Sequence, residues 1–437
     1  MRKYLLIGFA LMLPWSTASC SGSVADDLPA DDVADGEAGF TDGAATARYI
    51  RPPSECAHNG NGKARGCASS TGGQGAFNAW SSSKSWLAPG TVLYVDGTWD
   101  VTSYILVRSS GTATAPIHIR SYDVTAPSMI EGDLSGLFYV QADYVSVTNL
   151  RFYNSLGTCM AVFGPNATQP IHHVAVSNNR FDKCFNGISL SHVENALVSG
   201  NWLRNQGGTK DGHGHCIYPA EGADHIEVRG NRCQANPDIY ASHCLHVYHS
   251  EAPGPANDVA FHDNVCDGFS TGVGIYSNAQ NIRVYGNTII NLRKTVGSDG
   301  FGLRCGVSAG AGGSGVFMNN IVEGEFTGAV AIMDRTRCDL DLDYNVYDQP
   351  GATPAFRAEN ASGTVAVVPW ATWQDTHDSH SMLSDPELTN VATGDVHLLT
   401  RSPLRDRGND HYAATRDFYG KPRVLDGTID IGAAEYQ

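Results

Sequence analysis

One phrase recurs along the chain: two alternating apolar residues lead to an asparagine, and another apolar residue follows it. Examples are HVAVSNNRF (residues 173–181), HIEVRGNRC (225–233) and NIRVYGNTI (281–289). The period-2 alternation indicates strands, and intervals of 22 to 33 residues between the asparagines suit one coil of a solenoid each. The copies align on Asn179, Asn201, Asn231, Asn264, Asn287, Asn320 and Asn345.

The regular repeat of strand and asparagine predicts a solenoid built from parallel strands. Parallel strands about 4.8 Å apart would bring the aligned asparagines into a ladder of amide hydrogen bonds at a turn. Asparagine also tolerates the left-handed backbone that such a turn needs. An earlier copy, YVSVTNLRF (residues 144–152), has Leu150 in the aligned place. We therefore predict an all-β fold, a right-handed parallel β-helix with an asparagine ladder.

The composition agrees with an elongated β protein. The chain has 437 residues with 48 Gly and only 17% charged residues, which excludes a coiled coil and a charge-rich helical repeat. The formal net charge is −16 and no basic face is evident, so we expect no binding to nucleic acid. Much of the acid lies in an Ala- and Gly-rich stretch, residues 26–42, which predicts a disordered linker.

The N-terminal residues have the layout of a secretory signal. Arg2 and Lys3 precede an apolar run, residues 4–15, that is too short to span a bilayer, and small residues follow. Cys20 comes next, so the segment resembles a bacterial lipoprotein signal, although Thr17 stands in place of the usual leucine. This resemblance implies a surface protein anchored only through a lipid on Cys20, with plain secretion as the alternative. The predicted domains are a signal (1–20), an acidic linker (21–48), the β-helix (49–370) and a capping segment (371–437).

Ten cysteines remain besides the lipoprotein cysteine, and an even number in an exported chain favours disulfides over unpaired thiols. Cys233 and Cys266 hold the same repeat position one coil apart, and so do Cys216 and Cys244. One coil spacing lies within the Cα separation that a disulfide allows, so we predict the bridges Cys216–Cys244 and Cys233–Cys266. The further predicted bridges are Cys56–Cys67, Cys159–Cys184 and Cys305–Cys338.

Histidines are concentrated between His213 and His262, in coils that carry the longest inserted loops. Long loops on a rigid scaffold are where binding and catalytic sites usually form. A row with a purely structural role would repeat one small or apolar residue type, as the asparagine ladder does. A row of mixed titratable side chains therefore predicts the floor of a groove. Alignment of the strands after the asparagines predicts one row of Ser189, Tyr218, His246, Tyr276 and Arg304, and a second row of Asn186, His215 and His243.

Segments on both sides of these coils resemble known proteins. GTVLYVDGTWDV (residues 90–101) and SSGTATAPIHIRSY (109–122) resemble the opening coils of β-helix polysaccharide lyases of the chondroitinase B and alginate lyase family. Residues 402–436 resemble the closing segment of many bacterial right-handed β-helix proteins. KDGHGHCIY (210–218) is similar to the region around the D-P-H motif of mannuronan C5-epimerases, with Gly212 in place of the proline. This similarity implies that Asp211 and His213 are the motif's Asp and His.

Together these features predict an enzyme that acts on an acidic polysaccharide containing uronic acids. Removal of the C5 proton of a uronate needs a base, and it needs neutralisation of the neighbouring carboxylate. The cations available for neutralisation are Arg304 and Lys210. The candidate acids and bases are His213, His215, Tyr218, His246 and Tyr276, with Arg304 as the remaining catalytic candidate. The candidate substrate contacts are Lys210, Asp211, His243, Tyr248 and His249.

Several alternatives stay open at this point. We prefer β-elimination, while C5-epimerisation, glycoside hydrolysis and a non-catalytic carbohydrate-binding or adhesive β-helix remain possible readings of the same rows. No metal is assigned, and calcium is the cofactor that we keep open. A metal site formed by His215, His243, Cys216 and Cys244 is disfavoured, because export favours oxidation of the cysteines. We expect a monomer.

Overall fold

The computed structural model describes most of the chain after the predicted linker. The described residues are 45–80, 87–166, 168–207, 214–237, 242–248, 254–293, 300–306, 312–324, 331–334, 338–359, 365–425 and 427–437. The predicted signal, its Cys20 and nearly all of the predicted linker therefore lie outside the described residues. Among the helices that are described, none is long and apolar enough to cross a membrane.

Each coil contributes strands to three parallel sheets. Strands of sheet 1 precede the asparagine turn, strands of sheet 2 follow it, and strands of sheet 3 come next, before the chain returns to sheet 1. Neighbours within a sheet come from successive coils and pair in parallel, as Val198 does with Val228. This topology confirms the predicted parallel β-helix.

The strand bounds follow the repeat. Sheet 1 contains Thr46–Ile50, Thr91–Val95, Ile117–Ser121, Val145–Thr148, Val174–Ser177, Val193–Ser199, Asp224–Arg229, Asn257–His262, Ala279–Tyr285, Gly313–Met318 and Asp339–Asp343, with the short Ile171–His172 beside Val193. Sheet 2 contains Thr98–Asp100, Met129–Glu131, Trp202–Gln206, Arg232–Ala235, Val265–Asp267, Thr288–Leu292, Ile321–Gly324, Val346–Asp348 and Met382–Leu383. Sheet 3 contains Ile105–Val107, Gly136–Val140, His215–Pro219, His243–Val247, Thr271–Ile275, Phe301–Cys305, Ala331–Asp334 and Phe356–Glu359.

Other elements depart from the three-sheet pattern. Arg151–Phe163 and Arg180–Ser191 run continuously through sheets 2 and 3. Val365–Val368 pairs antiparallel with Phe356–Glu359, and Leu388–Asn390 pairs antiparallel with Asp395–Leu398. An α-helix spans Trp370–His377, and short 3-10 helices span Val391–Thr393 and Asp410–Tyr412.

Apolar side chains fill the interior in stacked columns. On sheet 3 the column contains Ile188, Ile217, Leu245, Val273 and Leu303, which pair in register and are buried. Each coil thus covers the apolar surface of the next one, which explains why a single coil of this sequence would not fold alone.

The asparagine ladder is confirmed at every predicted position. The backbone N–H of Asn179 donates to Oδ1 of Asn201 at 2.9 Å, and the same bond recurs between each pair of successive ladder asparagines up to Asn345. Leu150 begins the ladder, since its N–H donates to Oδ1 of Asn179. At the other end, Nδ2 of Asn345 donates to the buried carboxylate of Asp378.

The left-handed backbone lies one residue before the ladder. The φ angle is 57° at Asn178, 62° at Gly200 and 50° at Asp263, each of which directly precedes a ladder asparagine. The sequence interpretation was therefore wrong in placing the left-handed residue on the ladder itself. The residue before each ladder asparagine makes the turn. The backbone N–H and the side-chain amide of the asparagine can therefore point along the helix axis, towards the asparagine of the next coil.

Three of the predicted disulfides are confirmed and two are wrong. Cys233 and Cys266 do pair in register, but residues stacked in a parallel sheet point the same way, so their sulfurs do not converge. Cys216 of sheet 3 and Cys233 of sheet 2 both face the interior, with their Cα atoms 6.0 Å apart. The observed bridges are Cys56–Cys67, Cys159–Cys184, Cys216–Cys233, Cys244–Cys266 and Cys305–Cys338.

The C-terminal residues pack against the outer face of sheet 2. A second apolar cluster joins side chains of four coils to the tail: Val265, Ile290, Ile321, Val346, Leu388, Val396, Leu398, Leu404 and Ile431. Arg423, which is 1% exposed, lies 3.5 Å from Asp263 and 3.7 Å from Glu435. The predicted capping segment therefore covers a flank of the solenoid through both apolar and charged contacts.

A buried histidine on sheet 1 stands next to this contact. Nδ1 of His262 is 2.7 Å from Oδ2 of Asp263, and its Nε2 is 3.3 Å from Oε1 of Glu227. The ring stacks on Tyr285 with a centroid distance of 4.7 Å. Burial alone would lower the pKa of His262, but the hydrogen bonds to the two carboxylates outweigh it and raise the pKa above the ordinary value.

Replacement of Asn264 by alanine should destabilise the fold strongly. Oδ1 of Asn264 accepts both the backbone N–H and the Nδ2–H of Asn231, and these buried donors would lose their acceptor. We expect the free energy of unfolding to fall by about 2–4 kcal/mol, since one unsatisfied buried donor costs about 1–3 kcal/mol. Chemical denaturation followed by circular dichroism measures this. Asn390→Ala, at an exposed position, is the matched control and should change it little.

The His262 contact should make stability depend on pH. Because the folded pKa is raised, the stabilisation is complete below the unfolded pKa of about 6.5 and is lost as pH rises through the folded value. The melting temperature should therefore fall as the pH rises above about 6.5 and through the raised pKa of folded His262. His262→Gln should flatten this dependence, while His225→Gln, an exposed histidine of the same sheet, should not. Equal slopes in the wild type and His262→Gln would contradict the assignment.

Candidate active site on sheet 3

The predicted mixed row lies on the outer face of sheet 3. Ser189 pairs with Tyr218, and the pairing of Ile217 with Leu245 places Tyr218 over His246. His246 pairs with Gly274, which pairs with Arg304 two coils beyond His246. Four of the five predicted members of this row are therefore confirmed in one register.

The position predicted for Tyr276 is wrong, because Gly274 occupies that place in the row. Val273 and Ile275 are both buried, and each is followed by a residue that could belong to the row, Gly274 or Tyr276. The prediction from the sequence took the residue after Ile275, whereas the structure has the residue after Val273 in the row. Tyr276 instead continues the line of Tyr248, since Val247 pairs with Ile275 one residue earlier.

The second predicted row is confirmed. His215 pairs with His243 on the next strand, and the backbone N–H of His215 donates to Oδ1 of Asn186 at 2.9 Å. Thr271 follows His243 in the same row. His215 and His243 are buried, although they lie on the outer side of the sheet.

The two rows and Tyr276 meet in one cluster of rings. The ring of His246 is central, with its centroid 4.2 Å from that of His215 and 4.3 Å from that of His243. Tyr218 and Tyr248 stack on it at centroid distances of 4.9 and 5.6 Å. We call this the site cluster, and it consists of His215, Tyr218, His243, His246, Tyr248 and Tyr276.

Hydrogen bonds fix the histidine rings within the site cluster. Nδ1 of His246 is 3.1 Å from Nε2 of His215. Ser242 Oγ lies 2.6 Å from Nδ1 of His243, and the hydroxyl of Tyr276 lies 3.1 Å from Nε2 of the same ring. Each imidazole is therefore oriented by at least one partner, as a proton-transfer or metal-binding histidine needs to be.

Gly274 makes room for this arrangement. A Cβ atom at this position would lie 2.5 Å from Cδ2 and 2.8 Å from Nε2 of His243, and 2.6 Å from Cε2 of Tyr276. The rings of His243 and Tyr276 thus occupy the space that any other residue would fill. Sequence reasoning missed this residue, and the period-2 pattern of Val273 and Ile275 was the signal that could have found it.

Two phenols of the site cluster, Tyr218 and Tyr276, have pKa values that burial raises. Burial raises the pKa of Tyr218 well above the ordinary value, and the nearby Glu221 adds to the shift. The pKa of Tyr276 is also raised well above the ordinary value by burial, with Arg304 opposing the shift. Both side chains are therefore neutral phenols at physiological pH, able to donate a hydrogen bond.

Four predicted site residues cannot be placed in this arrangement. They lie outside the described residues, and their roles stay predictions: Lys210, Asp211, His213 and His249.

A partly exposed aromatic group lies on the same face of sheet 3, nearer the N-terminus. Tyr139 belongs to the row of Tyr218, through the pairs Tyr139 with Ala161 and Ala161 with Ser189. Its ring is 5.0 Å from that of Tyr104, which is 55% exposed, and 5.7 Å from that of Phe163. Sequence reasoning missed this group, because the row was followed only after the first ladder asparagine.

The site cluster also offers nitrogen ligands for a metal ion. One ring nitrogen from each of His215, His243 and His246 lies within 4.8 Å of the others. No other group of three or more such ligands occurs in the part of the chain that the structure describes. Cys216 and Cys244 are unavailable as ligands because both are in disulfides.

Comparisons with known proteins identify a family. A family model described as "Periplasmic copper-binding protein (NosD)" matches residues 103–328, which include the whole site cluster. No curated protein matches the sequence significantly.

Solved structures that match this chain include two lyases. An alginate lyase from Paenibacillus sp. str. FPU-7 is 17% identical with a TM-score of 0.46, covering 62% of this chain and 91% of that one. The pectate lyase Pel9A is 16% identical with a TM-score of 0.49, covering 90% of this chain and 98% of that one. A lacto-N-biosidase from Eubacterium ramulus is 14% identical with a TM-score of 0.43, covering 69% and 56%.

Gly274→Ala should disrupt the site cluster while leaving the β-helix folded. The added methyl group would displace the rings of His243 and Tyr276, which it would otherwise overlap. We expect the histidine ring resonances of His243 to shift in NMR spectra, with little change in circular dichroism. Gly254→Ala, at a position with nothing within 4 Å of the added atom, is the control. Unchanged His243 resonances in Gly274→Ala would show that the site cluster does not need the space left by the missing side chain of Gly274.

Proposed function

The chain belongs to the NosD family, and from this scaffold and the chemistry of the site cluster we propose an exported enzyme that cleaves uronate-containing polysaccharides by β-elimination. The stacked pair of Tyr218 and His246 carries this proposal. Export is supported by five disulfides, by the N-terminal signal pattern and by the description of the family as periplasmic.

An imidazole and a phenol side by side can perform both proton transfers of an elimination. In the tautomer in which Nδ1–H of His246 donates to Nε2 of His215, the basic lone pair of His246 is on Nε2. His246 would take the C5 proton. The electron pair of the C5–H bond would then form the C4–C5 double bond as the C4–O bond breaks. Tyr218 would protonate the leaving oxygen.

We assign to Arg304 the neutralisation of the uronate carboxylate. It lies on the row of His246, two strands away, which corresponds to about 10 Å along the helix axis. Gly274 stands between them and adds no side chain above the rings of His243 and Tyr276, so a sugar ring bound between His246 and Arg304 would lie over these rings. Neutralisation of the carboxylate stabilises the negative charge that develops when the C5 proton leaves.

The aromatic group of Tyr104, Tyr139 and Phe163 supports a polymeric substrate. Tyr139 is three strands from Tyr218 on the same row, or about 14 Å along the axis. Exposed aromatic rings present apolar area on which sugar rings can stack. A chain lying along sheet 3 would then contact the aromatic group, the site cluster and Arg304 in turn.

Elimination is favoured over hydrolysis by the residue types present. Glycoside hydrolases use two carboxyl groups that flank the scissile bond. The site cluster consists of imidazoles and phenols, and these suit proton abstraction and protonation of a leaving group. Epimerisation would need a second proton donor on the opposite face of the sugar.

The proposal is tested by incubating the mature protein with alginate, pectate, chondroitin, heparin and glucuronan. We expect one polymer to give a rise in the ultraviolet absorbance of the unsaturated uronate. His246→Ala and Tyr218→Phe should lower kcat by about 10²–10⁴-fold, the range typical of a lost acid or base. Tyr94→Phe, on sheet 1, should leave the rate unchanged.

Absence of a rise with every polymer would overturn β-elimination. Exchange of the C5 proton in deuterated water would then identify an epimerase. Glycan binding without either reaction would identify a carbohydrate-binding β-helix.

A further inference from the structure

A row of outward side chains on sheet 2 changes its character along the helix axis. Where the C-terminal segment packs over the sheet, the row consists of Val265, Thr288 and Ile321, which are buried. Towards the N-terminus the same row continues with basic and aromatic residues: Arg232, Trp202, Arg180 and Arg151. These four residues come from successive coils, so the sequence alone shows no basic stretch.

The C-terminal segment contacts the basic part of the row at Arg232. Nη2 of Arg232 donates to the backbone oxygen of Thr393 at 2.8 Å. Trp202, Arg180 and Arg151 lie one, two and three coils beyond Arg232, and each of them is partly exposed. These three side chains are therefore accessible to a ligand, whereas the chain's own C-terminal segment covers the later part of the row.

The accessible side chains are held together around an indole ring. Arg204 follows Trp202 by two residues on the same strand, so both point outwards. The guanidinium carbons of Arg204 and Arg180 lie 5.2 and 5.9 Å from the centre of the Trp202 ring. Cation–π contacts of this kind hold guanidinium groups against an aromatic face. We call Arg151, Arg180, Trp202 and Arg204 the basic surface.

Positive charge is in excess on the basic surface. Among the described residues that line it, Asp182 is the single carboxylate, and it accepts from Nε of Arg204 at 2.8 Å and from Nδ2 of Asn205 at 2.7 Å. The whole chain has a formal net charge of −16, so a polyanion is repelled by much of the molecule. The basic surface would attract the same polyanion.

The residue types indicate the chemistry of the ligand. The planar guanidinium group matches a carboxylate through two parallel hydrogen bonds. Arg151 and Arg180 lie on neighbouring rungs about 4.8 Å apart, so a linear polymer with a carboxylate on each unit can reach both. Like charges on neighbouring strands repel, and an anion bound across them would relieve this repulsion. The ring of Trp202 adds a surface on which a sugar can stack.

A glycan fits the basic surface better than a lipid bilayer does. Exposed apolar patches are typical of surfaces that bind membranes. Among the residues that the structure describes, the large apolar side chains classed as exposed include none from the basic surface.

We propose that the basic surface binds a second segment of the acidic polysaccharide, apart from the site cluster. The class of ligand rests on the proposed function. Strand Arg180–Ser191 carries Arg180 on sheet 2 and Ser189, in the row of Tyr218, on sheet 3, so one strand contributes to both faces. A polymer held at the basic surface is present at a high effective concentration at the site cluster. Long chains should therefore bind more tightly than short ones.

Binding is measured first, in the mature full-length protein with His246→Ala, which should leave the polymers intact. The probes are alginate, pectate and glucuronan, and affinity electrophoresis gives the dissociation constants. Addition of Arg151→Glu and Arg180→Glu should weaken binding by about tenfold or more, because two charge-assisted contacts are lost. Arg407→Glu with Arg416→Glu, which changes the net charge equally at exposed positions of the C-terminal segment, should not weaken it.

Circular dichroism checks that the charge-reversed protein is folded. The milder pair Arg151→Gln and Arg180→Gln keeps side chains of similar polarity on sheet 2, and it should weaken binding in the same direction. Equal affinity in the parent and both altered proteins, or no binding of any probe by the parent, would overturn the proposal. So would binding to vesicles of phosphatidylcholine and phosphatidylglycerol that depends on the two arginines while glycan binding does not.

Kinetics then separate this inference from the proposed function. In the protein with an intact His246, Arg151→Glu with Arg180→Glu should raise KM for the cleaved polymer by about tenfold and leave kcat unchanged. Turnover of a tetrasaccharide, which is too short to contact both surfaces, should stay as in the wild type. A fall in kcat on the tetrasaccharide would overturn the separate binding role. Arginine-dependent glycan binding without any elimination would remove the proposed enzyme and keep the basic surface.

Discussion

The vertical spacing of the coils is the constraint on which the rest of this molecule depends. Each rung lies about 4.8 Å above the last, and the buried amide ladder from Asn179 to Asn345 fixes how successive coils are aligned. Once the ladder sets this alignment, every residue lies over a known partner. His215 therefore lies over His243, and Tyr218 over His246, although about thirty residues separate the members of each pair.

Much of the fold and part of the site could be predicted from the sequence because they repeat. The ladder and both rows follow from counting residues in phrases of constant pattern. The disulfides of Cys216 and Cys244 could not be predicted by counting, since alignment shows which residues stack but not which face each other across the interior. The place of Tyr276 failed for a related reason: Val273 and Ile275 offer two equivalent anchors, and only the backbone pairing decides between them.

The site cluster shows how a regular scaffold can hold an irregular site. In a β-helix each row would most simply repeat one residue type, as the ladder does. On sheet 3 the row of Ser189, Tyr218, His246, Gly274 and Arg304 changes at every rung, and its smallest residue, Gly274, is the one closest to neighbouring rings. Its absent side chain lets the rings of His243 and Tyr276 approach, so the chemistry of the face depends on one residue that takes no part in it.

The C-terminal segment has a consequence for the order in which the molecule is completed. Val265 and Ile290 belong to one apolar cluster with residues that come more than a hundred positions later, such as Leu398 and Ile431. A chain is synthesised from its N-terminus, so these coils can stack while one flank of sheet 2 is still bare. Until residues such as Leu398 and Ile431 have been synthesised, the apolar outer surface of sheet 2 stays exposed to solvent. A partly synthesised chain is therefore prone to aggregate through this surface until synthesis is nearly complete.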